Sequence, residues 1–298
     1  MSKQLYMIYN PTAGQRRRGR FARFIKKARA SGYDVALKPT DAAGHAAILA
    51  GSNEARMADR VVVCGGDGTF NEAVNGFVSH TAHVPPMAFA PFGTANVLAH
   101  ELNYPRGLEA QAREILNGAP RSVKLATANG RHFVLMVSVG IDSLAVAGVN
   151  SKLKRLVGPL AYLASGTLAL RRYFKNNMRY RVSIDGAAPI DAVTVIVTRA
   201  RKYGGPFVIA PDAGLETDDL HIVMFRKSGV RPFFNYAWGL LTGRMDHQPP
   251  VTIMRGRHVA ISGLSPDPVQ MDGDAAGTLP VEISMADATI PLVYPSPA

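Results

Sequence analysis

Arg60 to Cys64 (RVVVC) runs straight into Gly65-Gly66-Asp67-Gly68-Thr69, and the helical pattern FNEAVNGF follows at once. A strand this apolar suits the centre of a parallel sheet, with helices covering both faces. The glycines let the backbone turn sharply and bring its N–H groups, together with a helix N-terminus, against negative charge. That arrangement is phosphate-binding architecture, and it commits this half of the chain to an α/β fold. Thr69 is placed to cap the helix, with Glu72 three residues later as in a capping box. An ordinary glycine turn with a good cap would explain those two residues but not Asp67. A carboxylate beside phosphates requires a metal ion between them. The chain has no Gly-Lys pair and no GxGxxG, so neither the Walker-type P-loop nor the dinucleotide fingerprint is present.

The flanking pattern agrees with a parallel sheet wrapped by helices. Strands are expected at Leu5 to Tyr9, Tyr33 to Lys38, Arg60 to Cys64 and Met87 to Ala90. Phe21, Phe24, Ile25 and Ala28 recur at i, i+3, i+4 and i+7, one buried helical face. Further helices are expected around Gly44 to Met57, from about Thr69 to Phe77, and after Pro91-Phe92-Gly93-Thr94-Ala95-Asn96. From about Val123 the pattern changes to strands separated by turn residues, such as Arg179 to Ile184 before Asp185-Gly186, and Ala192 to Thr198. The expected fold is therefore α/β plus β. A Rossmann-like parallel-sheet domain spans residues 1–121 and a β-rich, sandwich-like domain 122–298, with Ala119-Pro120 as boundary and the last strand free to return to the first domain.

Thirty-four Lys and Arg against 22 Asp and Glu leave a net charge of +12, which favours anionic partners. The longest apolar stretch, Val157 to Leu170, is too short and too broken by Gly158, Pro159 and Gly166 to span a bilayer. It reads as a core helix. Its basic flanks (Lys152, Lys154, Arg155; Arg171, Arg172, Lys175) leave open a helix lying on an anionic lipid surface. The lone Cys64 and the absence of a signal-peptide pattern in MSKQLYMIYN make a reducing cytoplasm the expected compartment.

GGDGTFNE, preceded by YNPTAG and followed by PFGTANVLAHEL, closely resembles the catalytic domain of the diacylglycerol kinase family, in particular the bacterial lipid kinases. RARKYGGPFVIAPDA, SVGIDSL and MDGD extend the resemblance over nearly the whole chain. GGDGT alone is shared with NAD kinases and phosphofructokinases; the ordered set is more specific. The resemblance implies ATP and Mg²⁺ as cofactors. It implies nucleotide contacts from Asn10, Thr40, Gly65, Gly66, Asp67, Gly68, Thr69, Phe70, Asn71, Glu72, Gly93 and Thr94. Asn10 and Thr94 also end expected strands, where ligands bind in open parallel sheets.

Val269 to Asp274 reads as a strand entering a tight Asp-Gly turn. The same resemblance makes this turn the source of the catalytic acid, leaving open whether Asp272 or Asp274 accepts the proton, since the family usually has Glu where this chain has Asp274. Asp67 would serve the metal. In the segment LETDDLHIV, the resemblance suggests a structural magnesium held by the Leu215 and Leu220 carbonyls and the Asp218 carboxylate; a solvated acidic turn is the plainer reading. Arg16, Arg17, Arg18 and Arg20 crowd one helix start, where they oppose its dipole unless an anion relieves them.

The expectation is thus a lipid kinase that transfers the ATP γ-phosphate to a lipid alcohol, touches an anionic membrane peripherally, needs no nucleic acid, and is compatible with a homodimer. An NAD kinase and a non-catalytic basic module that binds nucleotide or membrane remain as alternatives.

Overall fold

The computed structural model describes residues 3–13, 18–80, 83–148 and 179–296. Val157 to Leu170 with its basic flanks, and Arg16 and Arg17, lie outside them. The chain divides into two units, Met1–Lys124 with Ala288–Ala298, and Leu125–Asp287.

In the first unit, β1 (Lys3–Tyr9), β2 (Tyr33–Pro39), β3 (Arg60–Gly65) and β4 (Met87–Pro91) form a parallel sheet in the order β2-β1-β3-β4. The helices α1 (Arg18–Ala30), α2 (His45–Ala50), α3 (Asn53–Arg56), α4 (Asp67–His80), α5 (Val97–Glu101) and α6 (Leu108–Asn117) accompany it. Every residue of β3 is buried, as its uninterrupted apolar run demands. Leu5, Met7, Val62 and Ala88 from the strands meet Phe24, Ala28 and Ile115 from α1 and α6. The chain's last strand lays Leu292 parallel beside Met87. Ala119-Pro120 is no linker: it opens a ten-residue strand, β5 (Ala119–Ala128).

The second unit begins within β5 and continues through β6 (Arg131–Phe133), β7 (Met136–Val139), α7 (Ile141–Gly148), β8 (Tyr180–Ile184), β9 (Ile190–Ala192) and β10 (Thr194–Thr198). The short β11 (Lys202–Tyr203) and β12 (Phe207–Val208), then β13 (Leu220–Phe225), α8 (Val230–Thr242), β14 (Val251–Gly256) and β15 (His258–Gly263) follow. The hairpin β16 (Pro268–Met271) and β17 (Asp274–Thr278) precedes β18 (Val281–Tyr294). One sheet runs β14-β13-β10-β7-β16-β17, and β15 joins β18 to β8 and β9 in another layer. Val137, Val195, Ile222 and Met271 from the first sheet share a core with Val182, Ile261 and Ile283 from the second. This is a sandwich, so the architecture is the expected α/β unit followed by a β-rich one.

Local expectations shift in three places. The helix after the glycine loop starts at Asp67, two residues early, so Thr69 sits inside its first turn and does not cap it. The expected helix at Gly44 to Met57 is two helices, because Ser52 turns out of the first and caps the second, its Oγ accepting from the Ala55 N–H at 3.2 Å. α8 was not expected at all: VRPFFNYAWGLLT is rich in aromatic residues and carries Pro232, so propensity disfavours a helix that tertiary packing sustains.

Candidate active site

In the first unit, Tyr9 lies level with Pro39 and with Cys64, and Gly65 with Pro91. The residues that follow these positions, Asn10, Thr40, Gly66 and Phe92 to Thr94, therefore gather at one carboxyl edge. The chain leaves β1 toward β2 on one side, and β3 lies on the other, which makes this edge a topological switch point. The Gly65 carbonyl accepts from the N–H groups of both Phe92 and Gly93 at 2.9 Å, fastening the two loops together. They are fastened closely: a Cβ on Gly93 would lie 2.5 Å from the Gly66 Cα, and one on Gly65 would lie 2.8 Å from the Thr69 Cβ. Only glycine fits there. The first N–H groups of α4 have no intrahelical acceptor, the setting in which helix N-termini receive anions.

Asp67 has a role that its sequence position did not reveal. Its two carboxylate oxygens accept the N–H groups of Val97 and Leu98 at 3.1 and 3.0 Å, so it caps α5, the next helix. A carboxylate in this loop therefore does not by itself demand a metal. A carboxylate oxygen can accept more than one partner, so this capping does not by itself rule out Asp67 as a Mg²⁺ ligand. The buried Oδ1 of Asn96, 2.8 Å from where a Gly93 Cβ would sit, has no hydrogen-bond partner among the described residues. An unpartnered buried acceptor next to a cradle of bare glycine backbone fits a polar ligand that brings its own donors.

The other nucleotide candidates divide. Asn10 Oδ1 gathers the N–H groups of Thr12 and Ala13 and the Thr12 hydroxyl at 2.7–3.3 Å, while its Nδ2 reaches Thr69 Oγ1 at 3.4 Å. It thus shapes the first loop and touches the glycine loop. The Thr40 N–H is bound to the Tyr9 carbonyl, and Thr94 stands exposed at the rim. The Phe70 ring, by contrast, is 1% exposed and packs edge-on against Phe89 at 5.5 Å, so its side chain belongs to the core. Asn71 is also buried, bonded to Asn75 Nδ2; Glu72 is half-buried, one turn into the helix. Arg20 stacks on Phe92 at 5.6 Å and bonds Gln111.

In the second unit, Asp272 and Gly273 both have positive φ, 46° and 89°, the backbone of a two-residue hairpin turn. Asp272 is 4% exposed, and its carboxylate accepts the N–H groups of Val134, Leu135 and Met136 at 2.8–2.9 Å. With three donors in place it anchors the turn. Asp274 is half-buried, and its side chain has no hydrogen bond or ion pair among the described residues.

The segment proposed for a structural magnesium is otherwise engaged. The fully buried Arg199 donates to the carbonyls of Leu215 at 2.6 Å and Thr217 at 3.2 Å, while Asp218 pairs with Arg257 at 2.5 Å. Leu220 opens β13 and pairs with Gly256. A guanidinium already supplies the positive charge these carbonyls need, and the donor set does not fit a metal ion. Among the described residues no group of three or more His, Cys, Asp or Glu side chains could hold one.

Sequence reading overlooked a cavity of about 220 Å³ in the second unit, walled by Ile196, Phe225, Phe233 and Leu240 and bearing Asp142 and Tyr203 as polar groups. Asp142 accepts the Ser143 N–H at 2.8 Å, the Ser138 hydroxyl, and the Tyr203 hydroxyl at 3.3 Å. Burial pushes the Asp142 carboxyl up, only partly offset by these bonds; burial and the adjacent Asp142 push Tyr203 up too. Gln270 donates to Ser138 Oγ at 2.9 Å and accepts the Gly273 N–H at 2.7 Å. Hydrogen bonds thus run from the cavity acid to the turn before Asp274. The single hint in the sequence was an acid inside the otherwise apolar SVGIDSL.

The first unit thus carries a glycine-lined sheet edge of the kind that suits phosphate, and the second carries an apolar cavity hydrogen-bonded to a carboxylate turn. Residues 4–128 match the model of the diacylglycerol kinase catalytic domain, and residues 135–294 that of the YegS C-terminal NAD kinase beta sandwich-like domain. The chain belongs to the diacylglycerol kinase family that joins these two domains, and it is a kinase. It is 27% identical to a diacylglycerol kinase of Bacillus subtilis (strain 168), over 98% of this chain and 97% of that one. A diacylglycerol kinase of Staphylococcus carnosus (strain TM300) is also 27% identical, over 94% and 91%. The crystal structure of a diacylglycerol kinase from Bacillus anthracis str. Sterne superposes with a TM-score of 0.77 at 23% identity, covering 98% of this chain and 97% of that one, and so shares the fold.

Proposed function

We propose that this kinase transfers the γ-phosphate of ATP to a hydroxyl of a lipid alcohol such as diacylglycerol, at a membrane surface inside the cell. One observation carries the lipid acceptor: the apolar cavity is linked through Asp142, Ser138 and Gln270 to the turn before Asp274. A ribose hydroxyl would gain nothing from walls of Ile, Phe and Leu, whereas an acyl chain would.

The geometry supports the following roles. Backbone amides at Gly66 to Thr69 hold phosphate oxygens at the N-terminus of α4, and Gly93 lets the facing loop approach them. Asp67 locks that facing loop by capping α5. Mg²⁺ held at Asp67 would neutralise phosphate charge. Asp274 accepts the proton of the attacking hydroxyl, because its carboxylate is unoccupied while that of Asp272 is filled by three amides. Asp142 and Tyr203 orient the polar end of the acceptor.

The test is transfer of labelled γ-phosphate from ATP to diacylglycerol and other lipid alcohols in mixed micelles, with NAD as a competing acceptor. Label should enter lipid with Mg²⁺ and fall away in Asp67→Ala and Asp274→Asn. Label entering NAD in place of lipid, or lipid labelled equally by both variants, would sink the reading.

A further inference from the structure

Helix α8 faces two ways. Phe233, Tyr236, Ala237 and Leu240 line the cavity, while Val230, Phe234, Trp238 and Leu241, spaced i, i+4, i+8 and i+11, stand 62–68% exposed on another face. Four large apolar residues in one stripe, about 16 Å long at the helical rise of about 1.5 Å per residue, are far from the scattered apolar residues of an ordinary surface. Such a stripe marks an interaction site. Its surroundings select the partner: Arg226, Lys227, Arg231 and Arg244 flank it, all exposed, and residues 226–244 contain no Asp or Glu. An apolar face with a tryptophan and these four cations at its flanks, set against the single exposed acid Asp246 just beyond, matches the boundary of an anionic bilayer, where the apolar side chains enter the acyl layer and the cations meet headgroup phosphates.

We propose that the outer face of α8 docks this protein on anionic membranes, with Phe234, Trp238 and Leu241 inserted and the four cations at the headgroups. The proposal rests on the lipid-kinase reading for its purpose but not for its test. Docked this way, α8 sets the cavity wall directly against the lipid that would supply the acceptor. The outer face of α8 is a different surface from Val157 to Leu170, which reads in the sequence as a core helix and only alternatively as a helix on an anionic lipid surface.

Trp238 is the only tryptophan in the chain, so intrinsic fluorescence reads this helix alone. Vesicles of phosphatidylcholine with about one third phosphatidylglycerol should shift its emission to the blue and sediment the protein; pure phosphatidylcholine should do so weakly, and high salt should weaken the anionic case. Phe234→Glu and Leu241→Glu, which keep the reporter, should each lower vesicle partitioning about tenfold or more. Both variants should keep the melting temperature of the wild type without vesicles, which shows that they fold. Trp238 emission unmoved by anionic vesicles overturns the proposal, as does unchanged partitioning of the two variants. A blue shift that grows with protein concentration in the absence of lipid assigns the stripe to a second copy and overturns it too. Absence of all lipid phosphorylation in the wild type would remove the kinase reading while leaving the fluorescence result standing.

Discussion

The glycine edge of the first unit and the hairpin with its cavity in the second solve different problems. The first is built of backbone: amides, a helix terminus, and glycines that a single methyl group would disrupt. The second is built of side chains drawn from β7, α7, β10, β11, β13, α8 and β16. Each region also spends one carboxylate on architecture, Asp67 capping α5 and Asp272 holding the start of β7. An acid in a tight turn is thus as readily a strut as a reagent, and the hydrogen bonds it already makes tell the two apart.

The sharpest way to break that distinction is the pair Asp272 and Asp274. Asp274→Asn is expected to reduce phosphoryl transfer about 10²- to 10⁴-fold with an unchanged melting temperature. Asp272→Ala leaves three N–H groups without their acceptor and should cost about 3 kcal/mol or more of stability. Steady-state kinetics beside thermal unfolding separates them; the reverse pattern would exchange their roles.

A smaller effect probes the backbone region. Gly93→Ala forces a Cβ into the Gly66 Cα and should cost about 1–3 kcal/mol, with a weaker apparent affinity for ATP and an unchanged one for lipid. Calorimetry and KM for each substrate check this, and equal loss for both substrates would count against the assignment.

The smallest effect concerns pH. The Asp142 carboxyl is raised in the folded state, so its stabilising contribution is complete below its unfolded value of about 4 and is lost as pH rises through the folded value. Asp142→Asn should flatten this slope, at most about 1.4 kcal/mol per pH unit, so that the variant gains on the wild type as pH rises above about 4. Unfolding curves between pH 4 and 8 that run parallel for the two proteins would contradict it.

Much of the first region was legible because its chemistry is contiguous. RVVVC and GGDGT sit side by side, and strand, turn and helix follow from local rules of burial and glycine geometry. What was missed there was long-range: that Phe70 faces Phe89 and that Asp67 reaches across some thirty residues to Val97 and Leu98. In the second unit little could be read ahead. No periodicity announced that Asp142, Tyr203 and Gln270 would meet, or that Arg199 would fill the carbonyls near Leu215.

By itself the sequence determined the order of strands and helices in the first unit, the glycine turn after its third strand and the cationic surplus, because these depend on neighbours a few residues apart and on composition. Tertiary structure alone decided which acids are occupied, where an apolar cavity opens, and that α8 forms with its outer stripe exposed. Those outcomes depend on which distant backbone amides and side chains arrive beside each group, and hydrogen-bond saturation and burial belong to the folded chain, not to any stretch of it.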